Sequence, residues 1–210
     1  MSEEIAKILV DIGSVNFSFK NYFTLTSGLK SPVYVDCRKI ISFIEERDFI
    51  IDKAIQYLDE NHINNEIIAG GETAGIPYAA FLSQKLKKPM VYIRKKPKGF
   101  GQNQQIEGHF KEKQKTILIE DLATDGGSKI IFIEAIRKAK LKITDIFVIF
   151  YYDIFDFKKS SLSNYQVNLH SLCTWKDIIN IIKIKKLYST QQITSLENFL
   201  YNPEKWRKDT

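Results

Sequence analysis

The chain has 210 residues, 44% of them hydrophobic and 27% charged, with a formal net charge of +6. That is enough for one domain with a real core, and the basic balance suits an anionic partner: nucleic acid, an anionic membrane surface or a phosphorylated small molecule. No apolar run approaches the ~20 residues that span a bilayer, and two cysteines, Cys37 and Cys173, frame neither a disulfide-rich secreted fold nor a zinc site.

Ile5, Ile8, Leu9 and Ile12 fall at i, i+3, i+4, i+7, which predicts an N-terminal helix with Ser2 as its cap and Gly13 as its stop. FTLTSG and SPVYVDCRKI read as short extended pieces around a Ser27-Gly28 turn. Residues 43–62 predict a long helix with Phe49, Ile50, Ala54, Tyr57 and Leu58 inward. The chain then alternates. Strands are expected at 66–71, 89–94, 116–122 and 143–152, with helices at 75–87 and 127–140. The second of these helices is expected to bury Ile130, Ile131, Ala135 and Ile136. A polar stretch spans 95–113, and two further helices are expected in WKDIINIIKIKK and SLENFLYNP.

Continuous runs such as IFVIFYY indicate strands covered on both faces. Strand–helix alternation predicts an α/β fold, a Rossmann-like parallel sheet flanked by helices. Ligands in such sheets bind beyond the carboxyl ends of the strands, so the loops there carry the chemistry. No repeat or linker divides the chain, and one domain over 1–210 is expected.

Three loops stand out. In the first, Glu120 and Asp121 end a buried strand and Leu122, Ala123, Thr124, Asp125, Gly126, Gly127 and Ser128 lead into a helix. Glycines let backbone N–H groups converge at a helix N-terminus, and Thr124 and Ser128 add hydroxyl donors, which together make a monophosphate cradle. Carboxylates at a strand tip accept hydrogen bonds from ribose hydroxyls and steady positive charge on a sugar ring. A plain helix cap by Asp125 or Ser128 is the structural alternative. The loop is neither a Walker A sequence nor a dinucleotide fingerprint.

The second loop is Arg94-Lys95-Lys96-Pro97-Lys98-Gly99-Phe100-Gly101, with four cations in five residues. It suits closure over a departing diphosphate, though a solvated charge run accounts for it equally well. The third is Gly70-Gly71-Glu72-Thr73-Ala74-Gly75, whose glycines permit close approach of a ligand or simply a tight turn. The overall basicity is less specific. Of the 31 basic residues 26 are lysines, scattered along the chain.

Taken together, the acid-acid-x-x-Thr-x-Gly-Gly-Ser loop resembles the phosphoribosyl diphosphate (PRPP) motif of type I phosphoribosyltransferases. FTLTSGLKSPVYVDCR, GGETAGIP and RKKPKGFGQNQQIEG resemble orotate phosphoribosyltransferase in the same order. The resemblance runs from about residue 17 to 153. It implies a small N-terminal hood lobe over about 14–41, a core over about 42–155 and C-terminal helices over about 156–210.

It further implies that the chain transfers ribose 5-phosphate from PRPP to orotate, giving orotidine 5-phosphate and diphosphate, a step of pyrimidine biosynthesis. Glu120 and Asp121 would hold the ribose hydroxyls, and Thr124 to Ser128 the 5-phosphate. Arg94, Lys95 and Lys98 would contact the diphosphate, with Lys98 tied to catalysis, and Gly71 and Glu72 would border the same ligand. Thr26, Ser27, Tyr34, Arg38 and Thr124 would line the orotate pocket. Mg2+ would be held mainly by the substrate, and a homodimer with shared sites is implied.

The chain departs from the family's pattern at Thr26, Ala74, Phe100 and Asp125, and at Ile154, where many relatives have arginine. Asp125 beside a phosphate seat must point away, as a cap would, and Arg38 is the substitute grip for the orotate carboxylate. A phosphoribosyltransferase for another base and a non-catalytic PRPP-binding regulator of the same fold are the rival expectations. Nucleic-acid and membrane partners are not expected, since no RNA-binding motif is present. The start of the chain lacks a signal-peptide core, so the cytoplasm is the expected compartment.

Overall fold

The structure, a computed structural model, describes residues 1–24, 30–97, 105–154 and 156–208. The chain opens with helix α1 (Ser2–Asp11), followed by four short strands: β1 (Val15–Phe17), β2 (Phe23–Thr24), β3 (Lys30–Ser31) and β4 (Val33–Val35). Then come α2 (Ile44–Glu60), β5 (Ile67–Gly71), α3 (Gly75–Leu86), β6 (Met90–Ile93), β7 (Ile106–Glu107), β8 (Lys115–Ala123), α4 (Ile130–Lys138) and β9 (Lys142–Tyr151). The remainder forms β10 (Asn168–Thr174), α5 (Trp175–Ile184), α6 (Thr190–Tyr201) and α7 (Pro203–Lys208).

The main sheet has the order β10-β9-β8-β5-β6-β7, with β5, β6, β8, β9 and β10 parallel and β7 an antiparallel edge on β6. Its inner strands β5, β8 and β9 are largely apolar because both faces are covered. One face packs Ile68, Ile117, Ile119, Phe147 and Ile149 against α1, α2, α3, α5 and α6. The alternate residues Ile67, Ala69, Leu118, Ile146 and Val148 pack on the other face against α4. β1 pairs with β4 and β2 with β3, both antiparallel, giving two small sheets beside the main one, with Val33 and Val35 packed into its core.

The chain leaves the central strand β5 toward β6, whereas it leaves the neighbouring β8 toward β9 on the other side. The order therefore reverses between β5 and β8, and a crevice opens beyond their carboxyl ends. The four anticipated strands and the helix α3 are found within one or two residues of the expected ends.

Four expectations need correction. Ser2 is the first helical residue, and no side chain caps α1. The helix expected over 127–140 begins as a 3-10 turn, Gly127–Lys129, and becomes α-helical only at Ile130. Its inward stripe is therefore Phe132, Ile133, Ala135 and Ile136, while Ile131 is 45% exposed. The polar stretch 95–113 contributes the edge strand β7. The segment 156–210, expected as helices alone, adds β10 to the sheet alongside β9.

Candidate active site

Beyond the carboxyl ends of β5 and β8 lies an open cavity of about 830 Å³, bordered by the sheet and by β4 and the turn after it. Tyr34, Arg38, Glu72, Lys95, Glu120, Asp121, Leu122, Thr124 and Ser128 line it, with Thr73, Ala74 and Lys129 among the others.

Strand alternation separates the two acids of β8. Glu120 turns toward α4. It is 6% exposed, with Oε2 ion-paired to the Lys129 ammonium and Oε1 buried without a hydrogen-bond partner. A Cβ on Gly71 would collide with Oε1, and one on Gly75 would sit 2.6 Å from it, so the two glycines leave the space the carboxylate occupies. Asp121 turns to the opposite face, where it feels Arg38, Cys37 and Tyr78.

Burial pushes the carboxyl groups of both Glu120 and Asp121 above their usual range, and Lys129 is the largest influence opposing it in each. Cys37 is fully buried, and burial pushes its thiol well up, which suits packing rather than chemistry.

The turn after β8 is built by glycine. Gly126 has φ +78°, and a Cβ there would sit 2.6 Å from Leu162 Cδ2. Asp125 is exposed, with Oδ1 accepting from the Gly127 N–H two residues on at 3.0 Å, so its carboxylate caps its own turn.

The cationic loop divides. Lys95 lines the cavity, and its N–H donates to Glu72 Oε2 at 2.6 Å, which ties the ends of β5 and β6 together. Arg94 does not line the cavity. Its guanidinium lies 3.9 Å from Glu107 on the edge strand. After β4, Arg38 donates through Nε to Asp36 at 2.7 Å and through Nη2 to Tyr34 Oη at 3.0 Å. Asp36 also accepts from the Arg38 N–H at 3.3 Å, fixing the start of the 3-10 turn Cys37–Ser42. Ile154, where many relatives of the resembled family carry arginine, packs against the core. Thr26, Ser27 and Lys98 lie outside the described residues.

The family profile of the phosphoribosyl transferase domain matches residues 41–164. The orotate phosphoribosyltransferase of Roseobacter denitrificans is 44% identical over 212 residues, an alignment covering 99% of this chain and 93% of that protein. This chain belongs to the orotate phosphoribosyltransferase family. Its type I phosphoribosyltransferase fold superposes on the crystal structure of that enzyme from Aeropyrum pernix with a TM-score of 0.73 at 26% identity, covering 88% of this chain and 99% of the other. The structure of Leishmania donovani UMP synthase superposes with a TM-score of 0.80 at 27% identity, covering 95% of this chain and 42% of that longer chain.

Within this phosphoribosyltransferase, two functional features escaped sequence reasoning. Asp36 orients Arg38, and Lys129 pairs with Glu120. The signal for Lys129 was a cation at the head of an otherwise apolar helical run, KIIFIEAI.

Proposed function

We propose that this chain transfers ribose 5-phosphate from PRPP to orotate, releasing orotidine 5-phosphate and diphosphate, and so serves pyrimidine biosynthesis. One observation carries the reading: an acid pair, a glycine-built anion seat and an open cavity meet at the single point where the strand order reverses. The ring nitrogen of orotate, having given up its proton, forms a bond to the anomeric carbon as the bond from that carbon to diphosphate breaks. The bonding electron pair leaves with the diphosphate.

The protein's work is alignment, charge placement and exclusion of water. The turn from Thr124 to Ser128 seats the 5-phosphate with backbone N–H groups and hydroxyls. Asp121 and Glu120 accept from the ribose hydroxyls and face the positive charge that grows on the ring. Lys95 and the Lys98 loop meet the diphosphate, with Arg94 at its margin and Gly71 and Glu72 along its path. Arg38, held by Asp36 and Tyr34, takes the carboxylate of the base in place of the arginine absent at Ile154.

Among the described residues, no group of three or more His, Cys, Asp or Glu is placed to hold a metal ion. Mg2+ would be held mainly by substrate oxygens and water. When bound, the ion neutralises charge on the leaving diphosphate. Among the described residues no helix is long and apolar enough to cross a membrane.

One phosphoribosyltransferase domain over 1–210, a cytoplasmic location and a homodimer with shared sites belong to the same proposal, and sedimentation with and without PRPP tests the dimer. The activity is tested by incubating the protein with PRPP, Mg2+ and a panel of bases. Loss of orotate absorbance with stoichiometric diphosphate supports it. Consumption of a purine instead, or of no base at all, overturns it.

A further inference from the structure

Lys129 is expensive to place where it is. Its residue is 5% exposed, so its ammonium has been taken out of water. It also stands at the N-terminal end of α4, where the helix dipole favours anions and disfavours cations. Stability alone does not require its pair with Glu120, since apolar side chains of similar volume at both positions would pack at least as well.

What the ammonium touches supplies the reason. Among the described residues its hydrogen-bond partner is Glu120, through Oε2. The other oxygen of that carboxylate is buried, unpartnered and confined by the surfaces of Gly71 and Gly75. Glu120 is thus gripped at one oxygen, while the residue as a whole borders the cavity. Lys129 also follows Ser128 directly, so it links the strand tip to the turn assigned to the phosphate.

We propose that Lys129 is a positioning residue for the sugar: it fixes the Glu120 carboxylate at the edge of the cavity so that it meets a ribose hydroxyl, and it locks that acceptor in register with the 5-phosphate seat. The inference rests on the function proposed above and adds a residue to it. Electrostatics agree with the geometry. Lys129 opposes the upward push of burial on both Glu120 and Asp121, which favours the charged form that accepts hydrogen bonds. The remaining influences on Glu120 are Asp121, which adds to the push, and Lys95 from the loop after β6, which opposes it.

A double-mutant cycle on PRPP affinity tests this. K129M and E120Q are each expected to raise the KM for PRPP roughly tenfold, with kcat and the orotate KM changed by less than about threefold. Because Lys129 acts through Glu120, K129M/E120Q is expected to show about the same tenfold loss, not a hundredfold one. A purely structural lysine would lower soluble yield and melting temperature while leaving the KM for PRPP alone, and that result overturns the proposal. So does a multiplicative double mutant, which would make the two residues independent.

If K129M does not fold, K129Q replaces it with the same expectations. It carries no charge, and pairing it with E120Q leaves no buried charge in the pair. The same cycle read as PRPP binding by calorimetry needs no base. A wild-type chain that binds PRPP but consumes no orotate breaks the proposed function alone. A K129M chain that binds PRPP as tightly as wild type breaks this inference alone.

Discussion

The sheet carries acid clusters near both of its ends, and they are built on opposite terms. Toward the amino ends of β9 and β10, Asp145 accepts from Thr144 Oγ1 at 2.6 Å and Asn168 Nδ2 at 3.1 Å, and pairs with His170 Nε2 at 2.9 Å. His170 in turn reaches Tyr57 Oη at 3.3 Å. Although burial pushes the Asp145 carboxyl up, these partners together leave it below its usual value. At the carboxyl end of β8, Glu120 has one ion-pair partner and one orphan oxygen, and both it and Asp121 are raised.

A satisfied carboxylate stabilises a fold. An unsatisfied one costs stability and is kept where a ligand will complete it. The same sheet therefore contrasts a fully partnered acid, Asp145, with Glu120, whose orphan oxygen supports the substrate role proposed for the β8 tip.

The sharpest way to break that contrast is D121N. Removing one of the carboxylates that face the sugar should lower kcat/KM by about 10²–10³, or roughly 2.7–4 kcal/mol. The linkage sign gives the same variant a second signature. A carboxyl with a raised folded pKa loses stability as pH climbs from its unfolded value through the folded one, so the charge is a burden at pH 7. D121N should then melt higher at neutral pH, by about 2–4 °C per kcal/mol relieved. An inactive variant with a lowered melting temperature would mean that Asp121 is structural after all.

R38A comes next. It should raise the orotate KM about tenfold, near 1.4 kcal/mol, with the PRPP KM unmoved. An unchanged orotate KM would remove Arg38 from the base pocket.

D145N should do the reverse of D121N. It is expected to cost about 1–2 kcal/mol of stability and leave both KM values and kcat alone. Its pH dependence follows from the depressed carboxyl. Wild-type stability from this group is present above the unfolded value near pH 4 and is lost as pH falls through the lower folded one. D145N should therefore flatten the acid limb of a melting-temperature profile, and an unaltered limb would contradict the role given to Asp145.

Much of this was legible in the residues. Apolar runs of β-branched and aromatic residues marked β5, β6, β8 and β9, and the glycine punctuation after β5 and β8 marked the site. Strand β10 was missed because NLHSLCT mixes His, Ser and Asn into its apolar positions, and its partner β9 supplies the pairing. The phase of α4 was misjudged because the turn at Gly127–Lys129 is wound more tightly than the helix it leads into. The inequality of Glu120 and Asp121 is a property of strand alternation in the folded sheet. Lys129 reads in sequence as one more lysine among 26, and only the fold brings it to Glu120. Arg94 belongs to the cationic run, yet it turns toward Glu107 at the sheet edge.

One comparison tests the central claim most directly: loss of orotate absorbance on mixing with PRPP and Mg2+, followed side by side for the wild type, D121N and D145N. Rapid loss with the wild type and D145N, and almost none with D121N, is the predicted result. Equal rates for the two variants, or no loss with the wild type, would contradict the assignment of the β8 tip as the seat of the sugar phosphate.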